Sequence, residues 1–437
     1  MVSEKMYGKL AELVVRKGAN VQKDQPVIIN AHVQDAAFVK MVAKCAYEAG
    51  ARYVSVEWHD NDLTLMAYQY QTVEVLSEIP QWKYDKTKYQ HDGGACYISI
   101  LSDKPGVMAG ADSEKIKAAN RAYYAKMSDL ISYTMNNEGQ WSVIGVPSVD
   151  WAKTVFPELP EEEAFEKLGD AIFAVTRVTE DNDPIAEWEQ HDKELIEHAG
   201  RLNSCRFEKL HFTSETGTDL EVELVKDHIW VGGGCTTPAG VYFDPNMPTE
   251  ECFCMPLKTG VNGIVYASKP LDHDGKVIDD FWMRFENGKV VEFGAKKGEE
   301  ALSQLLSYDD GASYLGEVAL VPYDSPVSQS GVLFFNTLYD ENAACHLALG
   351  RPYPENIKGG EEMSKEELAA CGANDSMVHV DFMIGTRGMN IDGVQEDGTV
   401  VPVFRNGNWA RPGPEDRNGN EGLTGPRNLS ASERAQL

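Results

Sequence analysis

The stretch "QPVIINAHVQDAAFVKMVAKCAYEAGARYVSVEW", Gln25 to Trp58, decides the fold of the first part of the chain. "QPVIINA" is a short apolar strand. "QDAAFVKMVAKCAYEAGA" has helical apolar spacing with a glycine stop, and "RYVSVEW" alternates apolar and polar as a strand does. Strand, helix and strand in this order form a β-α-β unit, which requires a parallel sheet. A dinucleotide site would place a glycine-rich turn after the first strand. The turn here reads "HVQDAA", so that fingerprint is absent.

Working outward, "MYGKLAELVVRKGAN" precedes the unit as an amphipathic helix ending at a glycine. "WSVIGVPSVDWAKTVFP" (Trp141 to Pro157) repeats a strand running into a turn. "DPIAEWEQHDKELIEHAGRLNS" is a charged helix near residue 187 and a natural connector. Beyond it the pattern changes. "FEKLHFTSETGTDLEVELV" is a hairpin with "SETGT" as its turn, and further strands are expected at "GIVYAS", "DDFWMRFENGKVVEFGAKKG" (turn at Asn287-Gly288), "EVALVPY", "GVLFFNTLY", "VHVDFMIG" and "TVVPVF". The expected organisation is an α/β N-terminal domain with a parallel sheet over 1–187, then a strand-rich α+β domain over 188–411. Residues 412–437, rich in Pro, Gly, Asn and Arg, should form a disordered tail.

Composition narrows the function. The 437 residues are 42% hydrophobic and 25% charged, as in an ordinary globular protein, and long enough for two cores. With 40 basic against 69 acidic residues the net charge is −29, which argues against nucleic acid or an anionic membrane as partner. No segment has the roughly 20 apolar residues of a membrane span and no signal-peptide pattern opens the chain. Eight cysteines without framework spacing fit reduced thiols in a cytoplasm.

The chemistry lies in the second half. "TLYDENAACHLALG" (Thr337 to Gly350) carries Glu341 and then His346 inside a run of small residues. It reads as a short helix capped by Asp340 and ended by Gly350, where His346 is either a satisfied core histidine or a ligand. "NMPTEECFCMP" leads Glu250 and Glu251 into an apolar segment, "YLGEVALV" sets Glu317 in an apolar run, and "VHVDFMIG" places His379 and Asp381 on one face of a strand. A buried unpaired carboxylate is very costly. Four carboxylates, formally −4, with two imidazoles would balance two divalent cations. Unconnected buried polar groups are the competing reading. The eight remaining histidines fit no ligand spacing, and "VGGG" (Val231 to Gly234) is read as a turn. If "ECFC" is a strand, Glu251 and Phe253 share one face and Cys252 and Cys254 the other.

"NMPTEECF", "LGEVALV", "TLYDENAACHLALG", "RPY" and "VHVDFMIG", in this order and together with "GTDLEVEL" and "YEAGARYVSVEWHD", resemble the thermophilic-type metalloaminopeptidase family (aminopeptidase T and aminopeptidase S types) over nearly the whole chain. The chain departs from the family in having Cys252-Phe253-Cys254 where Val-Phe-Thr is usual. The resemblance implies metal ligands at Glu251, Glu317, His346, His379 and Asp381, with Glu341 as ligand or general base and Tyr353 as a further active-site group. It also implies two divalent metal ions per subunit, zinc or cobalt first and manganese or magnesium compatible. Peptides with a free N-terminus would be the substrates of a cytoplasmic homodimer. A metal-dependent amidohydrolase or deacylase acting on non-peptide amides, or a non-catalytic metal-binding or ligand-binding protein, would be compatible with the same ligands.

Overall fold

The computed structural model describes residues 2–273 and 276–410. The expected tail over 412–437 lies outside the described residues.

Strand Pro26–His32, helix Ala36–Ala49 and strand Tyr53–His59 form the expected β-α-β unit, with the strands parallel and paired from Pro26↔Tyr53 to His32↔His59. Gly50 ends the helix at φ +98°, donating its N–H to the Ala46 and Tyr47 carbonyls, a conformation that suits glycine. Strands Cys96–Leu101 and Trp141–Gly145 extend the sheet on the other side of Pro26–His32. Its fifth strand, Asn246–Met247, arrives from far along the chain and pairs parallel with Trp141–Gly145. Leu10, Val14, Val39, Val42, Leu168 and Ile172 bury against Val27, Ile29, Ile98 and Ile144 in one core.

Helix Pro184–Cys205 has proline in its first turn, and the Asp183 carboxylate accepts from Ile185 N and Ala186 N. Despite its polar sequence it buries a stripe. Trp188 enters the first core, whereas Leu195 and Leu202 enter a second one. The second half is built from antiparallel strands. The hairpin Phe207–Thr213 and Asp219–Leu224 and the hairpin Lys276–Glu286 and Lys289–Lys297 both form as expected, within a nine-stranded sheet. A separate five-stranded sheet runs in the order His379–Met383, His346–Gly350, Leu315–Leu320, Cys252–Cys254, Val231–Gly232. One hydrophobic core joins the two sheets, Phe212, Leu220, Val261 and Met283 meeting Val318, Leu347 and Phe382.

Three local expectations are corrected. "GVLFFNTLY" is not a strand: Phe335 adopts φ +53°, the Asp340 carboxylate accepts from Phe334 N and Asn336 N, and Phe334 turns into the first core beside Tyr339. "TLYDENAACHLALG" is not one helix. A helical turn at Thr337–Asp340 and a 3₁₀ turn at Glu341–Ala343 stop at Ala344, whose φ of −164° is extended, and His346–Gly350 is a strand between two others. "VGGG" opens as strand rather than turn, because Val231–Gly232 pairs with Cys252–Phe253. Gly232 is tightly enclosed there: a Cβ would lie 2.8 Å from the Cys252 sulfur, so a larger residue would force a shift.

Candidate metal centre

The register of the five-stranded sheet decides which side chains meet. Residues paired across antiparallel strands share a face, and so do residues two apart on one strand. Glu317 pairs with Ala348, which pairs with Asp381; His379 pairs with Gly350, Ala319 with His346, and Phe253 with Ala319. One face therefore carries Phe253, Glu317, His346, His379 and Asp381, separated by Ala319, Ala348 and Gly350. The small residues leave room above the sheet for long polar side chains. The opposite face carries Cys252, Cys254, Val318, Leu320, Leu347, Leu349, Val380 and Phe382, all packed into the core. The cysteines thus point away from the acidic face, as strand alternation predicts, and burial pushes both thiols upward in pKa.

The polar groups converge. Glu251, just before its strand, sets Oε2 3.0 Å from His346 Nε2. Glu317 reaches two ways, with Oε1 3.4 Å from His346 Nε2 and Oε2 3.8 Å from His379 Nε2. His379 Nε2 lies 3.3 Å from Asp381 Oδ1. Two overlapping groups result, Glu251–Glu317–His346 and Glu317–His379–Asp381, each with ligand atoms within 4.8 Å of one another. Glu317 belongs to both.

Hydrogen bonding orients the imidazoles. His346 Nδ1 lies 3.1 Å from the Ala344 carbonyl and His379 Nδ1 2.6 Å from that of Arg351, so each Nδ1–H donates and each Nε2 faces the carboxylates. Glu251 Oε2 and Asp381 Oδ1 are buried without a hydrogen-bond partner; their contacts to Nε2 are close but outside hydrogen-bond geometry. Acceptor atoms facing one another in a dry site require positive charge between them. The ionisation of the groups reports the same need. Burial pulls His379 down, but Asp381 and Glu317 outweigh it and raise the imidazole to about 10. His346 is likewise held well above its usual range by Glu251 and Glu317 against burial. Burial raises Glu317 and, with Asp381 and Glu251 nearby, raises Glu341 further. Asp381 alone falls, because its burial is outweighed by His379. The donor set of carboxylate oxygens and imidazole nitrogens fits divalent cations.

Glu341 stands on the 3₁₀ turn ahead of the His346 strand, next to Asn342, whose side-chain amide lies 3.5 Å from it. The Tyr353 ring packs edge-on against His379 at 4.9 Å and against Phe253 at 5.8 Å. Burial and the Glu317 and Asp381 charges raise its phenol well above the usual value. All seven residues singled out in the sequence therefore lie in one neighbourhood.

Of the other groups near the site, Glu250 is named in the sequence beside Glu251, whereas Arg177, Asn342, Asn137 and Glu355 were not singled out. Glu250, adjacent to Glu251, points the opposite way and is gripped by Arg177. Asn342 Oδ1 accepts from Glu250 N at 2.7 Å. Glu355 accepts from Asn137 at 3.3 Å, and burial together with Glu361 raises its carboxyl to about 7. Arg177 and Asn137 come from the first half of the chain with no motif around them; the one local hint was an acidic pair, Glu250-Glu251, at the mouth of an apolar strand.

A sheet face that gathers carboxylates and imidazoles in this way is a candidate centre for divalent metal ions. The chain matches the thermophilic metalloprotease (M29) family over residues 3–409 and belongs to it; it is a peptide hydrolase of the metalloprotease class. It is 46% identical to aminopeptidase AmpS of Bacillus subtilis (strain 168) over 92% of this chain and 97% of that one. It is also 46% identical to aminopeptidase 2 of Geobacillus stearothermophilus, over 93% and 98% of the two chains. The solved structure of wild-type AmpT from Thermus thermophilus superposes with a TM-score of 0.87 at 40% identity, covering 93% of this chain and 99% of that one.

Proposed function

We propose that this protein is a metal-dependent aminopeptidase that removes single residues from the free N-terminus of peptides. Glu251, Glu317, His346, His379 and Asp381 would hold two divalent ions, zinc or cobalt first, with Glu341 as a further ligand or as the general base. The observation that carries the reading is the sheet face on which two donor groups share Glu317 while the imidazole Nε2 atoms face carboxylate oxygens lacking hydrogen-bond partners. Ions bound there would polarise the scissile carbonyl and make a water nucleophilic at neutral pH. Glu341, whose carboxyl is raised by burial, takes the proton of the attacking water and passes it to the leaving amine. Tyr353, held by its ring against His379, directs its hydroxyl to the developing oxyanion. The surplus of carboxylates suits the α-ammonium of a free N-terminus. Glu250 does not contribute, since Arg177 occupies it.

The parallel-sheet half, to about residue 187, and the half carrying the centre would act as two domains around the site, in a homodimer in the cytoplasm. In support, the buried apolar residues fall into two main cores, the first of which also takes in Met247, Val327, Phe334, Leu338 and Tyr339 from the second half, and no helix among the described residues is long and apolar enough to cross a membrane. The test is a short peptide offered free and N-acetylated, with and without chelator. First-residue release from the free peptide alone, lost on chelation and restored by a divalent ion, is expected. Equal cleavage of the blocked peptide, internal fragments, or full activity in metal-free protein would overturn it.

A further inference from the structure

Arg177 lies at the start of the connection between helices Glu161–Val175 and Pro184–Cys205, in the half of the chain that carries the parallel sheet. It adopts φ +59°, unusual for a side chain of this size, and is pinned there by Asn182, whose Nδ2 donates to the Arg177 carbonyl at 2.7 Å. Its guanidinium lies over the Trp188 ring, 5.5 Å from the centroid. From this support it reaches Glu250: Nη2 donates to Oε2 at 2.9 Å, and Nη1 lies 2.7 Å from Oε1 as an ion contact outside hydrogen-bond geometry. Glu250 is only 4% exposed and precedes Glu251 directly. The two carboxylates point in opposite directions, one to the arginine and one to the imidazole of His346.

The same few residues are held from two further sides. His191 Nδ1 accepts from Arg177 at 3.2 Å, so its Nε2–H donates to the Thr249 carbonyl at 2.7 Å. Asn342, neighbour of Glu341, accepts from Glu250 N and donates to the Pro248 and Leu338 carbonyls. Segment 248–250 is thus clamped between the first half of the chain and the turn that carries Glu341. We propose that Arg177, through Glu250, is a positioning residue for the metal centre: it fixes the backbone from which Glu251 projects, and the working feature is the planar guanidinium, whose Nη2 reaches both Glu250 and His191 while Nη1 stands in ionic contact with the second Glu250 oxygen. The inference rests on the proposed reading of Glu251 as a ligand.

Charge and position make opposite demands, which allows a decisive test. Removing a cation near a cluster of carboxylates should strengthen divalent-ion binding if charge were all that mattered. Loss of position should weaken it, and removal of the groups that orient a ligand typically costs ten- to a hundredfold in metal affinity. Lysine keeps the charge but lacks the rigid fork. We expect Zn²⁺ affinity, measured by competition with a chromophoric chelator, to fall at least tenfold in both Arg177→Met and Arg177→Lys. Should Arg177→Met fold poorly in the metal-free state, Arg177→Lys decides alone. Wild-type affinity in Arg177→Lys, tighter binding in Arg177→Met, or a lower metal-free melting temperature with unchanged affinity would each overturn the proposal. Glu251→Ala is the control. If it binds Zn²⁺ as wild type does, the reading of the centre fails; if it does not and the arginine variants do, the positioning role fails alone.

Discussion

Glu317→Gln removes one charge at nearly constant volume from the residue common to both donor groups. Its consequence can be worked for the metal-free and metal-bound protein separately. Without metal, ionised neighbours within 4.8 Å repel Glu317 by about 3 kcal/mol each at an effective dielectric of about 20. Protonated His346 and His379, at 3.4 and 3.8 Å, attract it by about 4–5 kcal/mol each on the same scale. These nearly cancel, leaving about 2 kcal/mol. Unfolding 437 residues as one unit carries an entropy of about 0.9 kcal/mol per kelvin, so the metal-free melting temperature should move by only about 2 °C. With metal at a thousandfold excess over Kd, each ion stabilises by about 4 kcal/mol, or about 4–5 °C. Wild type should therefore gain about 8–10 °C between EDTA and excess Zn²⁺ in a calorimetric scan. Glu251→Gln and Asp381→Asn, each touching one group, should keep about half of that gain, and Glu317→Gln almost none. A full wild-type gain in Glu317→Gln would refute the shared-carboxylate reasoning, as would losses of equal size in all three variants.

Two further outcomes concern Tyr353, beside His379, and His198, in the helix Pro184–Cys205. Tyr353→Phe should lower kcat by roughly 10² or more with KM little changed, because the hydroxyl is needed mainly in the transition state; an unchanged kcat would leave the ring only its packing on His379. His198, buried and stacked on Trp409 at 4.2 Å, has its pKa pulled to about 4 by burial, with Arg201 pushing the same way. Because the folded value lies below the unfolded 6.5, stability from this group is complete above pH 6.5 and is lost as pH falls toward 4, by about 3 kcal/mol in all. Denaturant midpoints of His198→Gln should fall less than wild type over that range; parallel curves would contradict this.

Much of the centre could be read from strand arithmetic. His379 and Asp381 are two apart, so any strand puts them on one face, and the same rule turns Cys252 and Cys254 into the core. The β-α-β unit was legible because its period changes cleanly between strand and helix and Gly50 marks the stop. His346 was misplaced for a physical reason. Ala-Ala-Cys-His-Leu-Ala-Leu has good intrinsic helix formers, yet pairing on both sides within a buried sheet overrides propensity, and small residues serve there to clear space under the carboxylates. "GVLFF" failed similarly, since apolar residues needed by a core need not be extended, and Asp340 ties that backbone into a turn. The grip of Arg177 on Glu250 spans 73 residues of sequence and depends on how the two halves meet. No local pattern encodes it.

The proposal that one sheet face holds two divalent ions sharing Glu317 is open to direct observation. Anomalous diffraction from crystals grown with zinc, collected on both sides of the zinc absorption edge, tests it most directly. Two anomalous peaks are expected, one among Glu251, Glu317 and His346 and the other among Glu317, His379 and Asp381. A single peak, or peaks bound elsewhere with this face left bare, would contradict it.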